Sequence, residues 1–190
     1  MNRLDYLWHK WRAIAALVFG QRAAALAIFD AMLLRWPDDA YALASRIQLH
    51  ANAGRRADAL SDSRRLVAVQ ADNAHAWFNH GFLLEEEGAI DEALAAFTRA
   101  TELSPKLDRA WYGLGLVLIR LHRFDEAVAA LKRNTELQPM SPYGWYQLAR
   151  VHVDRQNPEE AVKIIRHLKG FEPKVAAQLE RETGLAVQES

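Results

Sequence analysis

Residues Ala74–Lys106 read AHAWFNHGFLLEEEGAIDEALAAFTRATELSPK. Thirty-four residues later the pattern returns over Arg109–Pro139 as RAWYGLGLVLIRLHRFDEAVAALKRNTELQP, and it returns again, more loosely, over Tyr143–Pro173. Trp77, Trp111 and Trp145 are 34 apart, as are Pro105, Pro139 and Pro173. A fixed period of this size marks stacked supersecondary units, because one short unit cannot bury its own apolar face. Within the quoted stretch, apolar residues at helical spacing (Trp77, Phe78, Gly81, Phe82, Leu84) predict a helix over 74–87. Gly88 stops it as a C′ glycine would. Asp91 opens a second helix whose stripe is Ala93, Leu94, Phe97, Ala100 and Leu103, and Pro105 closes it.

Carried backwards, the frame gives five units, at 6–39, 40–73, 74–107, 108–141 and 142–175. Residues not used to set the frame agree with it. Pro37 lies 68 residues before Pro105, and Gly20 and Gly54 share the column of Gly88. Ala25, Ala59, Ala93, Ala127 and Ala161 share another column, where a small side chain lets two helices approach closely. Units four and five carry His122 and Gln156 in the glycine column, so their turns are expected to differ locally. Unit two has Leu43 for Trp, Ser63 for Phe and Ala71 for Pro. The reading is one all-α array over 1–185, closed by a capping helix over 174–185, with a frayed tail at 186–190.

Composition narrows the function class. Apolar residues make up 51%, which suits a packed chain rather than a disordered one. The 24 basic and 24 acidic residues cancel, which argues against a nucleic acid partner. The absence of Cys removes disulfides and thiolate metal sites. The apolar run 13–19 after Lys10 and Arg12 is short for a signal sequence, and no 18-residue apolar span exists. We therefore expect a cytoplasmic protein with no membrane span, although contact with a membrane surface stays open.

The Trp, Leu-Gly, Ala, Phe and Pro columns resemble the tetratricopeptide repeat family. Leu114–Gly115 keeps the Leu-Gly pair intact, while His80–Gly81 and Leu148–Ala149 keep half of it or a near equivalent. The Phe column holds Phe29, Phe97, Leu131 and Ile165. The resemblance covers about nine-tenths of the chain, best in units three and four. It implies a right-handed α-solenoid of about five helix-turn-helix repeats whose first helices line a concave, peptide-holding groove. Pentatricopeptide repeats, which read RNA, lack the Trp-to-Pro spacing seen here.

Chemistry-bearing motifs are sparse. His75 and His80 are five apart, off the spacing that puts two ligands on one helix face. Glu85–Glu87 and Glu159–Glu160 read as solvated runs, and there is no phosphate loop, Gly-x-Ser-x-Gly or His-Glu-x-x-His motif. We expect no catalytic residue, no metal and no cofactor. The informative face lies on the first helices. Trp77, Gly81 and Leu84 point one way, whereas Phe78, Phe82 and Glu85 point another. Phe78, Tyr112 and Tyr146 form an aromatic column, either open to a ligand or packed between neighbouring helices. With the family resemblance, the expected groove comprises Phe78, Asn79, Phe82, Glu85, Arg109, Tyr112, Leu116, Arg120, Tyr143, Tyr146 and Arg150. Aromatic and Arg side chains dominate binding hot spots. The family's clamp for an acidic chaperone C-terminus is incomplete, since Lys10 is followed by Ile14 where Asn is needed, and Asn79 and Arg109 are isolated pieces.

The first helix is apolar nearly all round. Leu7, Trp11, Ile14, Leu17 and Val18 are expected to form a contact patch, with Trp8 and Ala15 toward the packed side. A homodimer, a partner protein or a membrane surface are its candidate contacts. The function these features favour is an adaptor or scaffold that captures a peptide or helix of another protein. A chaperone for a secreted or membrane-protein client, and a regulatory subunit of a separately encoded enzyme, are the rival readings.

Overall fold

A computed structural model describes residues 3–185; the tail expected at 186–190 lies outside the described residues. Among them are eleven helices and no strand. They are α1 (Arg3–Val18), α2 (Arg22–Arg35), α3 (Ala40–Asn52), α4 (Arg56–Val69), α5 (Ala74–Glu86), α6 (Ile90–Leu103), α7 (Asp108–Arg120), α8 (Phe124–Leu137), α9 (Pro142–Asp154), α10 (Pro158–Lys169) and α11 (Pro173–Thr183). Each helix packs on the next along the chain. In addition the backbones of α5 and α7, of α7 and α9, and of α9 and α11 come within 8 Å of one another, whereas those of α4, α6, α8 and α10 do not, and Arg64 of α4 reaches Glu92 of α6 only by its side chain, at 3.1 Å. From α5 onward the odd-numbered helices are thus the closer-spaced layer.

The period has a local cause at each turn. Gly20, Gly54, Gly88, His122 and Gln156 all have positive φ, between 56° and 78°. The following N–H reaches back to Ala16, His50, Leu84, Leu118 and His152 respectively, at 2.8–2.9 Å. This is the Schellman closure, which satisfies a helix-end carbonyl. The local difference expected at His122 and Gln156 is absent. Two L-residues adopt the left-handed bend that glycine adopts elsewhere, because the same backbone bond holds them there.

The Trp and Pro columns are one device. The indole N–H of Trp111 donates to the carbonyl of Pro105 at 3.1 Å, and that of Trp145 to Pro139 at 2.8 Å. Trp77 makes the same bond to Ala71 at 3.0 Å, so a missing proline leaves the acceptor in place. The five column alanines are fully buried. Small residues on the first helix also receive the bulk of the second: a Cβ on Gly81 or Gly113 would meet the Phe97 ring at 3.0 and 2.6 Å, and one on Gly115 would meet Leu131 at 2.7 Å.

Unit two inverts that arrangement. Ile47 stands in the small column of Gly81 and Gly115, and Ser63 stands in the bulky column of Phe97 and Leu131. The core divides around this unit. One cluster centres on Phe29, Met32 and Leu43, a larger one runs from Ala59 to Leu179, and a small third one holds Ala74, Ala100, Leu107 and Ala110.

Candidate functional site

No Cα of α3 lies within 8 Å of one in α5, unlike the later odd-numbered pairs. The column of Phe78, Tyr112 and Tyr146 holds Ala44 in unit two, so one ring is missing from the ladder. A cavity of about 360 Å³ opens there. Ala44, Ile47, Leu66, Phe78, Phe82 and Leu83 give it apolar walls, while Gln48, Asn79 and Glu86 add polar groups. A second cavity of about 490 Å³ lies between α7, α9 and α11, lined by Tyr112, Tyr143, Tyr146 and Gln178. A third of about 440 Å³ separates α1 from α3 beside Leu17 and Tyr41.

None of the eleven sequence-predicted groove residues is buried. Asn79, Phe82, Arg109, Arg120, Tyr143 and Arg150 are exposed, Tyr143 by 70%. Phe78, Glu85, Tyr112, Leu116 and Tyr146 are half-buried, so the rings both pack sideways and keep an open face. Phe78 lies 5.9 Å from Phe97, centroid to centroid, and the Arg109 guanidinium sits 5.1 Å from the Phe78 ring. Arg120 pairs with Glu85 of the previous unit at 3.2 Å. The Tyr146 hydroxyl donates to Glu182 of α11 at 2.6 Å and accepts from Arg150 at 3.4 Å, a bond that raises the Arg150 pKa. The cations of this face are therefore already oriented, and exposed pairs of this kind exchange readily for a ligand's carboxylate.

The sequence reading missed α3 as a contributor. Its signal was the column arithmetic that puts Ala44 where the other units place a ring. Also missed was a set of polar groups in apolar columns. Asp62 occupies the column of Ala96 and Ala130, and Arg46 and His80 occupy that of Leu114 and Leu148. Arg46 bridges Asp30 and Asp62, each at 3.0 Å. Burial holds the Asp62 carboxyl above its ordinary value although Arg46 opposes the shift. His50, His80 and His152 are buried, and desolvation lowers each pKa from its usual value.

Ser63 and His80 form a buried pair at 2.8 Å. The single Ser63 hydroxyl proton goes to the Leu60 carbonyl, also at 2.8 Å. Its oxygen therefore accepts from the His80 Nδ1–H, the reverse of a hydroxyl nucleophile handing its proton to a base. Among the described residues no group of three His, Asp or Glu could hold a metal ion.

The apolar patch on α1 requires a correction. Trp8 and Ala15 do not face the packed side; both are exposed, Trp8 by 54%. The buried positions are Ala13 and Ala16, and Ala13 belongs to the small column of Gly81. Of the expected patch, Leu7, Trp11, Leu17 and Val18 are exposed and Ile14 is half-buried. Leu17 turns toward α3, so the five do not form one compact surface. No described helix is long and apolar enough to cross a membrane.

Two family models described as tetratricopeptide repeat match the chain, over residues 45–108 and 84–146. No curated protein is significantly similar in sequence. The fold is similar to a solved structure of MamA protein, with a TM-score of 0.82 at 19% identity over 96% of this chain and 97% of that one. It is similar to YrrB, described as a TPR protein with an unusual peptide-binding site, with a TM-score of 0.80 at 19% identity over 89% and 88% of the two chains. MamA from Desulfovibrio magneticus RS-1 gives a TM-score of 0.76 at 18% identity over 94% and 96%. At these identities the likeness establishes the fold, and the family models speak to descent. With residues 45–146 matched, more than half of its length, the chain belongs to the tetratricopeptide repeat family.

Proposed function

We propose that the protein is a non-enzymatic interaction module that holds a peptide or helix of a partner protein along its odd-numbered helices. The observation that carries this is the broken aromatic ladder. Phe78, Tyr112 and Tyr146 offer half-open rings at one period, and at Ala44 the missing ring leaves an apolar socket of about 360 Å³. Sockets of that size accept a large side chain, and rings bordered by Arg109, Arg120 and Arg150 supply the residue types that dominate hot spots. The ligand we infer carries an aromatic or large aliphatic anchor for the socket, with polar groups along its flanks. A peptide-binding site is named for YrrB; at 19% identity that likeness bears on the fold and lends the ligand class only as a parallel.

Selection from a random peptide library displayed on phage, followed by calorimetry, tests the reading. Selected peptides should share a large apolar anchor. Ala44→Phe, which rebuilds the ladder ring inside the socket, should weaken them at least tenfold, about 1.4 kcal/mol. Tyr112→Ala with Arg150→Ala should weaken them as well. Peptides that bind all three proteins equally would place the site elsewhere.

A further inference from the structure

The outward side of α1 carries a continuous apolar strip. At 100° per residue, Leu4, Leu7, Trp8, Trp11, Ala15 and Val18 fill one sector roughly 100° wide, with no polar side chain among them. Leu4 is 79% exposed, Trp11 66% and Val18 75%. Phe19, directly after the helix, is exposed too. Soluble surfaces carry such residues singly, and a continuous strip of them marks a contact.

The edges of the strip identify what it meets. Arg12 borders one side, its guanidinium 4.2 Å from the Trp8 ring; Arg3 borders the other, while Lys10 behind it turns toward α3 with its ammonium 4.4 Å from the Tyr41 ring. The one carboxylate on α1, Asp5, lies next to Arg12, about 60° beyond the strip's edge, and is already paired with Arg35 at 2.6 Å. The first 35 residues hold five Lys and Arg against two Asp, whereas the whole chain is neutral. Two copies pairing through this strip would bring their cationic edges together, with the one nearby carboxylate already held by Arg35. An anionic lipid surface answers both features at once. Its acyl boundary takes the apolar strip, its headgroups take the cations, and Trp settles at that boundary.

We propose that α1 lies flat on an anionic bilayer surface, with Leu4, Trp8, Trp11 and Val18 dipped into the headgroup layer. The helix of 16 residues does not span the membrane. The orientation leaves the cavity-bearing odd-numbered face from α3 to α11 free, so membrane attachment and ligand capture use different surfaces.

Co-sedimentation of the full chain tests this, with vesicles of phosphatidylcholine alone and of equal parts phosphatidylcholine and phosphatidylglycerol. The chain should bind the mixed vesicles at least tenfold more strongly than the neutral ones. Trp8→Glu with Trp11→Glu should abolish binding, and both side chains are exposed, so the helical circular dichroism should stay. Arg3→Gln with Arg12→Gln should weaken it about 25-fold, at about fivefold per cation near an anionic surface. Equal binding to both vesicle types, no binding to either, or binding unchanged by the Trp pair would overturn the proposal. So would a dimer in sedimentation equilibrium that the Trp pair dissociates, since the strip would then cover a second copy.

Discussion

Gly88 and Gln156 occupy the same bend with opposite chemistry, and exchanging their side chains separates backbone strain from packing. At Gly88, φ is +78°, and an added Cβ meets nothing within 4 Å. Gly88→Ala therefore changes no contact. It costs about 1–2 kcal/mol for the left-handed conformation and recovers about 0.4–1 kcal/mol because Ala is less free than Gly in the unfolded chain. The net loss is about 1 kcal/mol, or a melting temperature lower by about 2–4 °C at this chain length. Gln156→Gly runs the cycle backwards from φ +56° and should gain about as much. His122→Gly differs, because the His122 ring packs edge-on against Phe124 at 5.6 Å. That contact contributes about 0.5–1.5 kcal/mol, which offsets most of the relieved strain and leaves stability near the starting value. Guanidinium unfolding, followed by helical circular dichroism and by indole fluorescence together, reads all three and shows whether the array unfolds in one step. A neutral Gly88→Ala, or a Gln156→Gly that destabilises by about 1 kcal/mol, would refute the claim that these bends share one strained geometry.

Two further outcomes follow from buried groups. His50, His80 and His152 have folded pKa values below the unfolded value of about 6.5. Above that pH both states are neutral and nothing is lost; as pH falls through it the unfolded chain takes up protons the folded one refuses. Stability should thus fall between about pH 7.5 and about pH 5.5, and His80→Leu should flatten the slope; a stability profile level across that range in the native chain would contradict it. Gly144→Ala would drive its Cβ into Asn134 Oδ1, whose amide donates to the Asp108 carbonyl at 2.9 Å. A loss of about 2 kcal/mol or more in chemical unfolding is expected, and a neutral result would mean that Asn134 moves freely.

The parts of this fold legible in the sequence are those where one residue type performs one task in every unit. Trp111 and Trp145 recur because an indole N–H must reach a carbonyl six residues back, and the column alanines recur because two helices cross there. The parts that were not legible depend on a partner in another column. Ser63 alone reads as a defect in the Phe column; beside Ile47 it is the second half of a size exchange, and beside His80 it is half of a hydrogen-bonded pair. His122 and Gln156 looked like different turns because a missing glycine says nothing about whether the backbone bond persists. On α1, apolar residues lie on every side, so periodicity could not choose the packed face. The small residues Ala13 and Ala16 choose it, since only they let α2 come close.

The surfaces proposed here lie where the repeat departs from itself, and the departures can be told from drift by their energetic sign. If Ala44 were simply a lost ring, Ala44→Phe would refill an apolar hollow against Ile47 and Leu83 and raise stability, with no further consequence. Filling a hollow of this size with a ring removes apolar area from water at roughly 25 cal/mol per Å², so a gain of about 1 kcal/mol is expected under either view. What differs is binding. A site kept open for a ligand gains stability and loses affinity in the same substitution, the opposition that functional cavities show. The variant that melts higher yet no longer holds the selected peptides would mark unit two as the unit where the solenoid gives up its own packing to make room for a guest.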